Sequence, residues 1–393
     1  MLSNAIGQDA TSQIPQARGL PETEEVPCDA CSSRNSVVLY CLQDDLYGCA
    51  GVFAIRRCRE CGLIYLSPRP TRISNLRYYP PGYDCHQPPL TLISSRFLRI
   101  AQRRNLAGRR RLIERYSQCT RGRLLDVGCG TGRYLEEMRR AGWSTVGIEP
   151  VLDAAASATT QAGLDVHVGT TETVSFANST FDVVTYWDVL EHTHSPRNEL
   201  LRVHSLLTQA GILVINIPNW EGFDRFLFNE HWHGFDAPRH LFVFPRAVIS
   251  RMLLDAGFDI VGVFNSTSGY YAVVQSIYRS IRPIAPWGAK LVYRSLRFPG
   301  VRFLFEPFLS LLAILGRGPV ITIVARKKNI QMSGNQMASR TTLASCGTRT
   351  NRRRAMRSLR NWDGPIPGHG DAPESASPAR GTQPKLPLSS SLG

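Results

Sequence analysis

The stretch Leu124-Leu-Asp-Val-Gly-Cys-Gly-Thr-Gly-Arg-Tyr-Leu135 constrains the fold more than any other. Leu124 to Val127 is a short apolar run that reads as a buried strand. Gly128, Gly130 and Gly132 follow at alternate positions, and the amphipathic run Arg133 to Ala141 reads as a helix. A strand, a glycine turn and a helix N-terminus in that order let backbone N–H groups approach a ligand closely. A second apolar run closes at Gly147-Ile148-Glu149. An acid placed there can accept hydrogen bonds from both hydroxyls of a ribose.

The spacing of the turn narrows the ligand. A dinucleotide fingerprint reads Gly-x-Gly-x-x-Gly and seats a pyrophosphate on the helix N-terminus. Here the spacing is Gly-x-Gly-x-Gly, and Asp126 stands just before it. A carboxylate at that place repels a pyrophosphate but pairs with an ammonium group. S-adenosylmethionine carries an ammonium, a sulfonium and a ribose, and no phosphate. The stretch resembles the first motif of the class I S-adenosylmethionine-dependent methyltransferases, whose ribose acid corresponds to Glu149. The resemblance implies cofactor contacts from Asp126, Gly128, Cys129, Gly130, Gly132, Glu149 and Pro150.

Further apolar runs at Thr145–Glu149, Asp165–Val168, Phe181–Tyr186 and Ile212–Ile217 alternate with helix-like segments. That rhythm predicts an α/β fold with a doubly wound, mostly parallel sheet covered on both faces. Phe258–Phe264 and Val320–Ala325 supply two more strands, seven in all. The resemblance implies a Rossmann-like methyltransferase sheet in which the final strand enters antiparallel between its neighbours.

A second motif runs Phe181-Asp-Val-Val-Thr-Tyr-Trp-Asp-Val-Leu-Glu-His192. Ligands of open α/β sheets sit outside the carboxyl ends of the strands, which puts Trp187 and Asp188 beside the cofactor. Asp188, Glu191 and His192 stand at helical spacing, on one face. The ubiquinone-type O-methyltransferases carry a similar acid-x-x-Glu-His group that can hold a divalent cation; hydrogen bonds that merely fix the loop are the other reading. At the third strand the family often places an acid beside the adenine amino group. This chain has Thr170 there, followed by Thr171 and Glu172, so these three are the adenine-side candidates.

Trp220 to Phe244 is rich in aromatics and imidazoles, including His231, His233 and His240. Relatives carry a similar Pro-Arg-His-Leu segment, here Pro238–Leu241. A loop of this kind at the carboxyl edge of the sheet suits an acceptor with a base in reach. His192 is the first candidate base, supported by Asp188, then His231, His233 or His240.

Ahead of this domain stand Cys28-x-x-Cys31 and Cys58-x-x-Cys61-Gly62. Two such knuckles present four thiolates for structural zinc in a tetrahedron. The intervening 26 residues make a wider gap than usual, and Cys41 or Cys49 offer a different ligand set. Some bacterial methyltransferases place a similar knuckle, a Pro-Arg-Pro stretch (here Pro68–Pro70) and paired tyrosines (Tyr78, Tyr79) before the catalytic domain.

The net charge of +15 is concentrated in two places. Ten arginines face one acid between Arg96 and Arg123, and eleven Lys or Arg face three acids from Lys327 onward. Residues 1–26 read as disordered, 27–90 as a zinc-ribbon-like module and 91–120 as a basic amphipathic helical linker. The catalytic domain is expected over 121–327, with an aromatic insertion at 265–319, and a disordered basic tail over 328–393. No signal peptide and no spanning apolar run are visible, which points to a cytoplasmic chain with reduced thiols, peripheral at the inner face of a membrane if the basic helix or the insertion meets anionic lipid. Contact with phosphates, or a plain cap on the sheet with a solvated face, are the other readings of the basic helix.

The resemblance implies transfer of a methyl group from S-adenosylmethionine to a small-molecule or lipid-linked acceptor, such as a sugar. Two alternatives stand beside it. A nucleic-acid methyltransferase suits the basic segments, but no Asn/Asp-Pro-Pro-aromatic motif or Pro-Cys nucleophile follows the fourth strand, which argues against nucleic acid. A cofactor-binding, zinc-ribbon interaction protein without catalysis is the other. The oligomeric state has no sequence signature.

Overall fold

The computed structural model describes residues 22–79, 96–266 and 269–328. Seven strands form the central sheet: β1 Arg123–Val127, β2 Ser144–Glu149, β3 Asp165–Val168, β4 Phe181–Trp187, β5 Leu207–Pro218, β6 Phe258–Ser266 and β7 Val320–Lys327. Their order is β6-β7-β5-β4-β1-β2-β3. β1 to β5 run parallel, with Leu124 opposite Val183 and Thr145. β7 lies antiparallel between β5 and β6, with Asn216 opposite Thr322 and Phe258 opposite Lys327. The alternation of strand and helix predicted the parallel part, and the antiparallel entry of β7 is as the resemblance implied. β1, β4 and β5 are nearly continuous apolar runs because both of their faces are covered.

The order of strands reverses between β1 and β4, so a crevice opens at their carboxyl ends. The helix Arg96–Ser117 packs on β4, β5 and the helix Arg133–Arg140 beside that crevice. Its apolar side, with Leu106 and Ile113 buried, is consumed by this packing. Arg110 bonds Glu114 at 2.9 Å and approaches Glu137 at 3.3 Å, while Arg103, Arg104, Arg111 and Arg115 point to solvent. This basic helix is therefore a cover for the sheet with a solvated outer face. Its predicted first turn, and the basic tail beyond Lys328, lie outside the described residues.

The cysteine-bearing segment folds as a small antiparallel sheet of Ser36–Leu42, Phe53–Cys58 and Ile64–Leu66, and the later part of the chain supplies its fourth strand, Phe242–Val243. Thr23–Glu24 pair with Arg69–Pro70, so ordered structure begins ahead of residue 27. The wide gap between the knuckles is the hairpin Ser36–Cys58 with its loop. Asp29, inside the first knuckle, accepts from Ser195 Oγ at 2.9 Å and from the backbone N–H of Arg197 at 2.8 Å. It thereby sits at the N-terminus of the helix Pro196–Leu206, where the helix dipole favours a negative charge.

From the loop of the hairpin, Asp44 reaches the core and meets Arg239. The guanidinium is fully buried and donates to Asp44 Oδ1 and Oδ2 (2.8 and 3.0 Å), to Asp236 Oδ1 and Oδ2 (2.7 and 2.8 Å) and to Tyr78 O (3.2 Å). Burial alone would raise the Asp44 and Asp236 carboxyls. The charge and hydrogen bonds of Arg239 outweigh it and hold both below the usual carboxylate range.

Candidate active site

The glycine turn after β1 is fixed by sterics. Gly128 and Gly132 have φ of +70° and +77°. A Cβ on Gly128 would stand 2.5 Å from Val189 Cγ2, and one on Gly132 2.4 Å from Leu164 Cδ1. Only glycine meets both the backbone conformation and the space. Gly128 and Cys129 donate to Ile148 O at 2.8 and 3.1 Å, which ties the turn to the end of β2. Glu149 completes the cradle: Oε2 accepts from Gly130 N at 2.8 Å and Oε1 from Val151 N at 3.0 Å. Two backbone donors orient the carboxylate and leave it lone pairs for a ribose. Cys129 is buried and Pro150 exposed beside it.

Asp126 is buried at the end of β1 and accepts from Thr185 Oγ1 at 2.6 Å. Burial pushes its carboxyl up to about 7, against that hydrogen bond and the nearby charge of Arg109. A cationic ligand group beside it would reverse the shift. Arg109 itself lies 4.3 Å over the Trp187 ring and 3.8 Å from Asp188 Oδ2. Nothing in the sequence distinguishes it from the nine other arginines between Arg96 and Arg123.

Among the adenine-side candidates, the three side chains part company. Thr171 Oγ1 donates to the buried Glu199, which Tyr186 Oη also bonds at 2.7 Å. Glu172 pairs with Arg72 of the N-terminal segment. Thr170 is half-buried, and its backbone N–H donates to Thr173 Oγ1 at 2.9 Å.

Asp188 follows β4 in the left-handed region, at φ +60°, an uncommon conformation for a residue with a side chain. Helical spacing predicted one helical face; the chain instead makes this turn and then a single 3-10 turn, Leu190–His192. Asp188 is held from the next strand: its backbone N–H donates to Asn216 O at 2.9 Å, and Asn216 Nδ2 donates to Oδ1 at 2.6 Å. Asn216 is oriented in turn by Thr322 Oγ1 on β7 at 2.7 Å.

A cavity of about 230 Å³ lies against this end of the sheet. Its wall includes Asp188, Glu191, His192, His233, His240 and Arg109. His231 is not part of that wall. His192 Nδ1 lies 3.0 Å from Arg239 O and 3.0 Å from Tyr79 Oη. A carbonyl only accepts, so Nδ1 carries the proton and Nε2 keeps its lone pair. His240 Nδ1 is likewise bound to Gly234 O at 3.0 Å. The His192 and His240 rings meet edge to face at 4.6 Å. Burial holds His192 down to about 3, and His233 and His240 down to about 4. All three are neutral near pH 7, and poor proton acceptors.

Beside the two rings sits Glu191, 1% exposed, with no hydrogen-bond partner for either carboxylate oxygen among the described residues. Burial and the charge of Asp188 push its carboxyl well up. Ligand atoms of Glu191, His192 and His240 lie within 4.8 Å of one another. One carboxylate and two imidazoles gathered in this way are a donor set that suits a divalent transition metal, and the orphaned carboxylate fits such an ion. His240 comes from the Pro-Arg-His-Leu segment and Glu191 from the loop after β4, so spacing alone did not join them.

The second metal candidate is distant in kind. Cys28 Sγ is 3.4 Å from Cys61 Sγ, and Cys31 Sγ is 3.5 Å from Cys58 Sγ. All four thiols lie within 4.8 Å of one another. These separations are far too long for disulfides and match the edges of a tetrahedron with sulfurs about 2.3 Å from its centre. The four cysteines named from the knuckles are thus brought together, and they fit structural zinc; Cys41 and Cys49 are not in the cluster.

Residues 97–263 match the family profile of a methyltransferase domain. A ubiquinone biosynthesis O-methyltransferase of Cereibacter sphaeroides is 35% identical over 182 residues, 41% of this chain and 74% of that protein. One from Ruegeria pomeroyi is 35% identical over 102 residues, 25% of this chain and only 41% of that protein's length. Among solved structures, phosphoethanolamine N-methyltransferase 2 of Haemonchus contortus with S-adenosyl-L-methionine covers 56% of this chain and 53% of its own, at 19% identity and a TM-score of 0.40, too loose a likeness to bear on function.

Proposed function

The chain belongs to the class I S-adenosylmethionine-dependent methyltransferases, and from that premise we propose that it methylates a hydroxyl of a small or lipid-linked acceptor seated in the cavity beside Glu191. Bound S-adenosylmethionine supplies the methyl group. Glu149 receives the ribose hydroxyls, and Asp126 and Arg109 stand where the ammonium and carboxylate of the methionine end would lie. Asp188, held by Asn216, and Trp187 shape the boundary between cofactor and acceptor. The work of the site is to hold donor and acceptor in near-attack geometry and to exclude water.

The observation that carries the hydroxyl reading is the orphaned Glu191 carboxylate, gathered with the imidazoles of His192 and His240 within 4.8 Å. Glu191, His192 and His240 would hold a divalent cation, whose chemistry is to lower the pKa of a coordinated hydroxyl. His192 is then a ligand rather than a base, in keeping with its depressed pKa. Relatives named O-methyltransferases support the same acceptor atom. The aromatic lining, with Trp232 and Tyr271, suits a phenolic or other flat acceptor.

Calorimetric titration of S-adenosylmethionine, followed by methyl transfer to simple phenols and catechols with and without added divalent cation, tests the reading. Cofactor binding with cation-dependent turnover is expected. Failure to bind the cofactor refutes the assignment; binding with turnover indifferent to chelation refutes the cation's role.

A further inference from the structure

The helix Pro299–Ile314 buries Leu309 and Leu312 against the protein and turns the opposite side outward. Leu304, Phe308, Leu311 and Leu315, spaced at i, i+4, i+7 and i+11, are 47–78% exposed. The stripe does not end with that helix. Phe308 meets Phe223 edge to face at 5.9 Å, and Phe223 begins the helix Phe223–Phe228, which exposes Phe226 and Leu227. The guanidiniums of Arg225 and Arg317 lie over the Phe226 ring at 4.9 and 5.9 Å. Two elements far apart in sequence thus build one apolar face with cations on it. Isolated exposed apolar residues are ordinary; a contiguous face of this kind is a contact surface.

Charge selects the occupant. Residues 280–318 hold six Lys or Arg and a single acid, Glu306, which is already paired with Arg302. A second copy docking by a two-fold axis would set this face against itself and oppose cation to cation. An anionic lipid surface meets both properties, taking the apolar side chains into its headgroup boundary and the guanidiniums among its phosphates. No helix among the described residues is long and apolar enough to cross the bilayer, so the contact lies along the surface.

We propose that the face built from Pro299–Ile314 and Phe223–Phe228 docks on an anionic bilayer and holds the acceptor cavity at the lipid boundary. The cavity borders the face. The helix Tyr270–Ile281 lines the cavity with Tyr271 and Gln275, and its Tyr270 ring packs on Phe305 at 6.2 Å. On the other side Pro319 lines the cavity two residues beyond Arg317. This placement deepens the reading of the acceptor as lipid-linked and rests on that reading only for what enters the cavity.

The test is sedimentation of the full chain with vesicles of equal parts phosphatidylglycerol and phosphatidylcholine, and with phosphatidylcholine alone. Binding to the anionic vesicles is expected, weakening with salt. The double variant Leu304→Ser/Leu311→Ser should weaken it by about tenfold while calorimetric affinity for S-adenosylmethionine stays unchanged. Binding that the double variant leaves intact would assign it to the basic helix or tail and overturn the proposal. Absence of binding to anionic vesicles overturns it too, as does a dimer in light scattering that the double variant splits. None of these outcomes touches methyl transfer, which is read separately from cofactor titration and turnover.

Discussion

Replacing Asp44 with alanine should destabilise the whole catalytic unit, although Asp44 stands nearly two hundred residues from its partner. Asp44 contributes both carboxylate oxygens to the Arg239 guanidinium, and both side chains are 0% exposed. Removing it leaves a buried guanidinium with one carboxylate in place of two, and breaking such a pair costs about 3–5 kcal/mol. For a unit of this size each kcal/mol lowers the melting temperature by about 2–4 °C, so a drop of about 6–20 °C is expected. Glu172→Ala is the internal control. Its bridge to Arg72 also joins the N-terminal segment to the core, but both side chains are about one-third exposed or more, so the loss should stay below about 1 kcal/mol. Melts followed by far-ultraviolet dichroism at pH 7 compare the two. The pH dependence has a definite sign. Asp44 and Asp236 are depressed in the folded state, so their contribution is fully present above the ordinary carboxylate pKa of about 4 and is lost as pH falls below it. Wild type should therefore shed its advantage over Asp44→Ala progressively as pH falls below about 4. Equal melting temperatures for wild type and Asp44→Ala at pH 7, or a loss no larger than that of Glu172→Ala, would refute the argument that this buried cluster fastens the module.

Three further outcomes follow from the sites. The Asp126 carboxyl is raised to about 7, and only its charged form attracts an ammonium, so affinity for S-adenosylmethionine should fall as pH drops from 8 to 6; titrations of Asp126→Asn should be weak and flat over that range, and a wild-type profile that is already flat would contradict the pairing. Glu191→Gln removes the anionic ligand but keeps the shape, so it should retain cofactor affinity and lose cation-dependent turnover by at least the roughly tenfold that removal of an outer-shell partner costs, read from initial rates against added Mn²⁺ or Mg²⁺. Cys58→Ser, or chelation of wild type, should release one zinc per chain by elemental analysis and lower the melting temperature, because a closed four-thiolate site acts on folding.

Much of the fold was legible because parallel strands buried on both faces are written as unbroken apolar runs, and the turn at Gly128–Gly132 has no substitute for glycine. Glu149, Asp188 and the four cysteines were legible for a related reason: each follows a strand end or a knuckle at fixed spacing. What escaped is what depends on distance in sequence. Phe242–Val243 is too short a strand to show a pattern, and Asp44 is one acid in a loop. Tyr79 on His192, Asn216 on Asp188, and the meeting of His240 with Glu191 are products of the closed fold. Arg109 was hidden by its neighbours, since nothing in a run of arginines marks the one that turns inward. The basic character of that helix allowed either a surface-binding element or a plain cap on the sheet; the structure spends its apolar side on the sheet and leaves the exposed apolar face to the insertion and to Phe223–Phe228.

The borrowed strand has a consequence for how the molecule is made. Asp44 and Arg239 are 195 residues apart, and Phe242–Val243 comes just after Arg239. A ribosome adding about 5–20 residues per second exposes the nascent module for about 10–40 s before its closing strand exists. Through that interval the Ile64–Leu66 edge is an open template for wrong pairing. The cysteine cluster is complete as soon as Cys61 emerges, so a metal captured then would brace the knuckles while the rest is synthesised. Scarcity of that metal would be felt at birth, as chains lost to aggregation, and would leave the turnover of the survivors untouched.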